Sequence, residues 1–188
     1  DPTCVPSAVE SDDDDFIIEY NVWDMQRVYQ QHNIRSGKEK VEIDFPTEYN
    51  TELQCLKMSE ENPFVDAYMA IIPGVTLAKI YKKYQQILLE KNVRTFLQFK
   101  GKVNKGIRKT LREEPDMFFS YNNGISTTAS EIDVREVDGG LYITRLYDWQ
   151  IVNGGQTTAS IAASMNDRDV DLSKVFVPMK VSVIRDVD

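Results

Sequence analysis

The stretch YDWQIVNGGQTTASIAAS, from Tyr147 to Ser164, changes character at its middle. Trp149, Ile151 and Val152 read as a buried strand, and Ala159, Ile161, Ala162 and Ala163 read as a helix. Between them lie Asn153, Gly154, Gly155, Gln156, Thr157 and Thr158, without a charge or a long side chain. A strand that turns into a helix over so few residues needs glycine where the backbone bends sharply. The seam therefore points to a chain in which strands and helices share one layered domain.

The remaining segments agree with a mixed order. FIIEY, from Phe16, reads as a strand, and Asn21 can cap a helix from Val22 to about His32, with Asp24 near its positive end. KVEIDF alternates Val41, Ile43 and Phe45 as a strand does, while LQCLKM is ambiguous. Pro73-Gly74 marks a turn, after which Thr76 can cap a helix carrying Leu77, Ile80, Tyr81, Tyr84 and Leu88 on one face. Asn104 can cap a second, short helix with Ile107 and Leu111 inward, and Pro115 follows its end. MFFSY reads as a strand leading into Asn122-Asn123-Gly124. EIDVREV and LYITRLY form a hairpin around Asp138-Gly139-Gly140. VFVPMKVSVI reads as one or two strands, with Pro178 predicting an edge or a bulge. The fold class expected is α/β or α+β: a mixed β-sheet with a β-hairpin, packed helices and the strand–Gly-Gly loop–helix seam. Three regions are expected: an acidic, disordered lead-in over 1–15, a small segment of strands and helix over 16–62, and a core over 63–188.

Composition narrows the chemistry. A net charge of −8 argues against general nucleic-acid affinity, but the distribution is uneven. Residues 79–112 hold eleven of the 22 basic residues and, in Glu90, one of the 30 acidic ones. Such a stripe can seek phosphate on an acidic protein, or it can be a solvated helix face balancing acids elsewhere. Cys4 and Cys55 lie far apart, so neither a disulfide framework nor a zinc site is indicated, and no metal site is expected. His32, the one histidine, sits in a polar stretch and reads as a surface residue. No apolar run reaches a membrane span, the start is too acidic for a signal peptide, and the expected location is cytoplasmic.

Two loops carry the candidate site. In one, Asn153, Gly154, Gly155, Gln156, Thr157 and Thr158 open a helix, where close backbone approach, unpaired N–H groups and the helix dipole favour an anion. In the other, Asn122, Asn123 and Gly124 repeat the pattern of amides followed by glycine at a strand end. Each also reads as an ordinary tight turn. None of the residues from Asn153 to Thr158 titrates near neutral pH, so they suit recognition before catalysis, and no catalytic residue or cofactor is assigned. Arg94, Lys102, Lys105, Arg108, Lys109 and Arg112 are the candidate nucleic-acid contacts.

These loops also carry a resemblance. NVRTFLQFKGKVNKGIRKTLREEPDMFFSYNNGIS followed by QIVNGGQTTASI resembles the AIPR family, the abortive-infection phage-resistance proteins of bacteria. The similarity rests on Asn92, Arg94, Phe96 and Leu97, then Asn104, Gly106 and Ile107, then Pro115 and Phe119, then Tyr121 to Ile125 and Val152 to Thr157. It spans about residues 70–185, and WDMQRVYQ from Trp23 is similar to the segment that precedes this core. The resemblance implies anti-phage defence, with this chain the middle of a longer protein. Neither the family's later Asn-x-Gln stretch nor its upstream nuclease-like region is evident. The seam is also similar in shape to the phosphate-binding turn of the ParB and sulfiredoxin group, with Thr157 and Thr158 where that group has charged residues. Three readings stay open: a nucleic-acid or nucleotide phosphate-binding module, part of a nuclease whose catalytic residues lie elsewhere, and a structural or oligomerisation domain with a second copy of the chain as partner.

Overall fold

The structure, a computed structural model, describes residues 40–58, 65–89 and 101–184, apart from the side chains of 86 and 101–104. The lead-in, the FIIEY strand, the helix ending near His32, Cys4, the 59–64 region and Arg94 lie outside the described residues. The chain divides after Glu39, and everything below belongs to the second unit, residues 40–188.

Among the described residues, eight strands and five helices alternate through this unit: β1 (Ile43–Asp44), α1 (Phe45–Tyr49), β2 (Leu53–Lys57), β3 (Val65–Pro73), α2 (Gly74–Tyr84), α3 (Gly101–Glu113), α4 (Phe118–Tyr121), β4 (Ile125–Ala129), β5 (Glu131–Val137), β6 (Gly140–Tyr147), β7 (Gln150–Asn153), α5 (Gly155–Ala163) and β8 (Phe176–Ile184). All eight strands join one sheet. β5 pairs with one side of β6, while β1 and β2 share its other side; β3, β8, β4 and β7 follow in order. Every pairing is antiparallel except β8 with β4. Strands from 40–58 and from 65–184 are thus interleaved in the same sheet. Mixed α/β architecture is what the sequence patterns predict.

Local chemistry explains most boundaries. Val41, Ile43 and Phe45 are all buried, but the strand stops at Asp44. There the Asp44 side chain accepts a 2.9 Å bond from the Thr47 backbone N–H, and Pro46 occupies the opening turn, so α1 begins instead. Helix α2 starts at Gly74 with Pro73 as its cap, three residues before the cap predicted at Thr76, which is buried within the helix. Likewise α3 runs from Gly101, so Asn104 is a helix residue and not a cap. The hairpin is as expected: Asp138 and Gly139 both have positive φ and Val137 faces Gly140, a two-residue turn matching the strand twist.

One expectation fails and another holds in part, each for an identifiable reason. MFFSY is helical: Pro115–Met117 forms a 3₁₀ turn continuing into α4. Its apparent alternation is misleading, because Met117, Phe119 and Tyr121 are exposed and the intervening Phe118 is the buried residue. Pro178 makes no bulge, and it lies where β8 is locally an edge, paired with β3 alone. β8 is a single central strand in which Pro178 faces Ile71 of β3, and pairing with β4 begins one residue later, at Met179 with Ile125. Beside Pro178 lies the Gly124 loop in place of a strand, which tolerates a residue lacking a backbone donor.

The core fills one face of the sheet. Tyr68, Ala70 and Ile72 of β3, Val177, Met179, Val181 and Val183 of β8, Ile125 and Ala129 of β4 and Ile151 of β7 are buried there. Leu77, Ala78 and Ile80 from α2, Ile161 and Ala162 from α5 and Ile107 and Leu111 from α3 cover them, with α5 packed against both other helices. Thr127 is the buried polar exception in β4, and its hydroxyl donates to the Lys180 carbonyl at 2.9 Å. The opposite face carries exposed apolar side chains, among them Leu56 and Ile71. Charged Glu131, Arg135 and Glu136 on β5 keep that outer edge from templating further strands.

Candidate functional site

The two amide–glycine loops lie at the same end of the sheet, because β4 begins where its antiparallel neighbour β7 ends and Ser126 faces Asn153. They also touch. Gly154 adopts φ 89° and ψ 16°, the left-handed region that only glycine enters without strain, and this turns β7 into α5. A Cβ placed on it would lie 2.8 Å from the Gly124 carbonyl oxygen and 2.7 Å from Ile125 Cγ2. Gly124, at φ 75°, is pressed in turn against the Pro178 carbonyl. Two left-handed glycines therefore stack the Asn122–Gly124 loop, the seam and β8 at separations no other residue would permit.

Not every predicted residue faces outward. The Asn122 carboxamide donates to the Phe118 carbonyl at 3.1 Å, fastening its own loop to α4. Thr158 is fully buried, and its hydroxyl donates to the Gly154 carbonyl at 3.1 Å. Gly155 is buried in the first turn of α5. Asn123 and Asn153 are exposed, and Gln156 and Thr157 are half-buried. No side chain caps α5, whose first turn has N–H groups without intrahelical acceptors. The outward set is thus two asparagines, a glutamine, a threonine and a helix N-terminus. It offers hydrogen bonds and a partial positive charge but no group that exchanges protons near neutral pH.

The basic stripe is divided. Arg112 donates to a single oxygen of Asp167, from Nε at 3.0 Å and Nη2 at 2.8 Å; this bond is the main cause holding the Asp167 carboxyl below the usual range. Lys109 pairs with Glu113 at 3.7 Å along α3, Lys83 pairs with Glu48, and Lys82 donates to the Asn166 side chain at 3.3 Å. Among the described residues, Lys79, Lys105 and Arg108 are exposed cations with no carboxylate partner. The side chain of Lys102, like Arg94, lies outside the described residues.

Three neighbours of the loops were not among the candidate site residues. Lys180 is exposed on β8 and stands beside Ser126, which stands beside Asn153, giving one cross-strand row of lysine, hydroxyl and amide. The off-phase alternation of VFVPMKVSVI was the available signal. Phe119 and Tyr121 are exposed immediately before Asn122, hidden in the sequence by the strand-like reading of MFFSY. A groove of 510 Å³ on the open sheet face is lined mainly by Leu56, Met69, Ile71, Pro73 and Phe176, and by none of the loop asparagines. Among the described residues, no cluster of His, Cys, Asp and Glu could hold a metal ion, and no helix is long and apolar enough to cross a membrane.

Fold and loops together define a mixed-sheet α/β domain with two amide–glycine loops in contact at one end of the sheet. The chain belongs to the AIPR family: the family model, described as AIPR protein, matches residues 89–188, more than half of the chain. That match includes both loops, α3 and α5, and membership suggests an abortive-infection, phage-resistance role. Among curated proteins none matches the chain significantly, and among solved structures none does either.

Proposed function

We propose that this region is the recognition module of an abortive-infection protein and that it binds the phosphate-bearing backbone of a nucleic acid or nucleotide. The observation that carries the reading is the seating of Gly154 against the Gly124 carbonyl, which brings two amide-bearing loops to one uncapped helix start. Phosphate oxygens suit backbone N–H donors at such a terminus. Asn123 and Asn153 can both donate and accept, which suits a base edge, and Phe119 and Tyr121 offer faces for stacking. Lys105, Arg108 and Lys180 supply attraction over longer range. The residues offer positioning without a proton-transfer group, so any cleavage chemistry belongs to other parts of the protein.

The test is a salt titration of a labelled oligonucleotide against the wild type and Lys105→Glu/Arg108→Glu. Each lost phosphate contact lowers the slope of log affinity against log salt by roughly 0.9 on duplex DNA and 0.7 on single strands. Weaker binding with a shallower slope in the variant supports the reading. Equal affinity and equal slope remove these residues from the interface.

A further inference from the structure

Both loops contain an Asn-Gly dipeptide, and the structure treats the two differently. Asn123 is exposed, belongs to no helix or strand, and its carboxamide has no hydrogen-bond partner among the described residues. Asn153 is exposed as well, but it lies in β7 opposite Ser126, with Gly154 wedged against Ile125 and the Gly124 carbonyl. Asn122 precedes a bulkier residue and is tied to the Phe118 carbonyl. Asparagine before glycine is chemically labile, because no Cβ shields the following amide nitrogen from the side chain.

We infer that Asn123 is a site of spontaneous covalent modification, an intramolecular deamidation that times the life of the paired-loop site. The Gly124 amide nitrogen, having lost its proton to hydroxide, attacks Asn123 Cγ. The Cγ–Nδ2 bond breaks and the nitrogen leaves as ammonia after taking up a proton, closing a five-membered succinimide. Water then opens the ring at either carbonyl, giving aspartate or isoaspartate; no oxidant or reductant is needed. Asn153 reacts more slowly, since its place in β7 opposite Ser126 holds its backbone against the bending that ring closure requires, whereas Asn123 belongs to no strand; the glycine after each is wedged, so that contact does not separate them.

The product matters because of what surrounds it. Isoaspartate lengthens the main chain by one methylene immediately before Gly124, where the backbone has no spare room beside Pro178. That shift unseats Gly154, which rests on the Gly124 carbonyl. Either product also places a carboxylate at the loop, opposing an anion there. Only this consequence for binding rests on the function proposed above; the chemistry at Asn123 stands apart from it.

The experiment incubates the full chain in mildly alkaline buffer at physiological temperature, beside an unstructured peptide spanning Tyr121 to Ser126. Peptide mapping follows the amide-to-acid mass change, and an isoaspartyl methyltransferase assay follows isoaspartate. Conversion at Asn123 at a rate comparable to the peptide's, with Asn122 and Asn153 lagging and no isoaspartate at this position in Asn123→Gln, is the expected result. Persistence of the Asn123 amide while the peptide converts, or conversion of Asn153 ahead of Asn123, overturns the inference. Because the readout is covalent, it holds whether or not the chain binds a polyanion.

Discussion

Replacing Gly154 by alanine tests the seam most sharply, and its cost can be worked from two parts. The first is conformational: φ 89° is left-handed, which disfavours an L-residue by roughly 1–2 kcal/mol. The second is steric: the new methyl would lie 2.7 Å from Ile125 Cγ2 and 2.8 Å from the Gly124 carbonyl oxygen, and forcing an atom into packed space costs about 1–3 kcal/mol. The sum, about 2–5 kcal/mol, is a large part of the ~5–15 kcal/mol that holds a domain together. Gly106 provides the internal control. It lies within α3, exposed, and a Cβ there meets nothing within 4 Å. Gly106→Ala should therefore stabilise by roughly 0.5–1 kcal/mol through helix propensity. Urea unfolding of both variants beside the wild type gives the two signs in one series. A Gly154→Ala protein within about 0.5 kcal/mol of wild type, the range of an ordinary surface change, would refute the account of the seam.

Other outcomes follow from the same structure. Leu111→Ala, at a fully buried position where α3 meets the core, should cost about 2–5 kcal/mol in denaturant unfolding, and a negligible change would mean α3 is not anchored as described. Cys55 is buried and burial pushes its thiol pKa up, so in a Cys4→Ser background it should resist thiol reagents until the protein unfolds; rapid labelling of native protein would contradict this. Asp167 and Asp44 have carboxyl pKa values lowered by folding, the first chiefly through its bond from Arg112 and the second chiefly through the Thr47 backbone amide. A folded pKa below the unfolded one gives stability that is present above the unfolded value of 3.8 and is lost as pH falls through the folded one. Asp44→Asn/Asp167→Asn should therefore show a shallower acid limb in a plot of Tm against pH, and parallel limbs would dismiss both carboxylates.

The parts of this fold that were legible in the sequence are those where local and tertiary demands agree. Asn153-Gly154-Gly155 had one economical reading, and Gly154 took the left-handed conformation that reading required. Asp138-Gly139 named its own turn. Leu77 and Ile80 are buried as their spacing implied, while Leu88 is buried from a separate 3₁₀ turn, Gln85–Leu88, beyond the end of α2. Illegibility came where a short segment satisfies two periods at once: a stretch such as MFFSY fits a strand by alternation and a helical turn by length, and packing of Phe118 decided it. Pro178 was legible in part: it marks the end of β8 that has no β4 partner, although β8 as a whole is a central strand, because a missing donor matters only where an adjacent strand is present. LQCLKM was ambiguous for a related reason: Leu53 and Cys55 point into the core while Leu56, also apolar, lies on the open face with 70% of its surface exposed. At the candidate site, sequence supplied both loops but not their contact, nor that Asn122 and Thr158 spend their side-chain donors on the backbone. The contact depends on the order β8, β4, β7, which no local pattern encodes, while the two bonds are local and each reaches back four residues.

The most direct measurement of the central claim is a binding series on the full chain with Asn153→Asp. The substitution keeps the side-chain shape, leaves Gly154 in place and adds one negative charge at the uncapped start of α5. Fluorescence anisotropy against single-stranded DNA, duplex DNA, RNA and labelled nucleotides, with unfolding followed in parallel, separates binding from stability. The account predicts that the wild type binds at least one of these ligands and that the aspartate variant binds it more weakly without losing stability. Undiminished affinity in the variant, or a wild type that binds none of them at low salt, would contradict it.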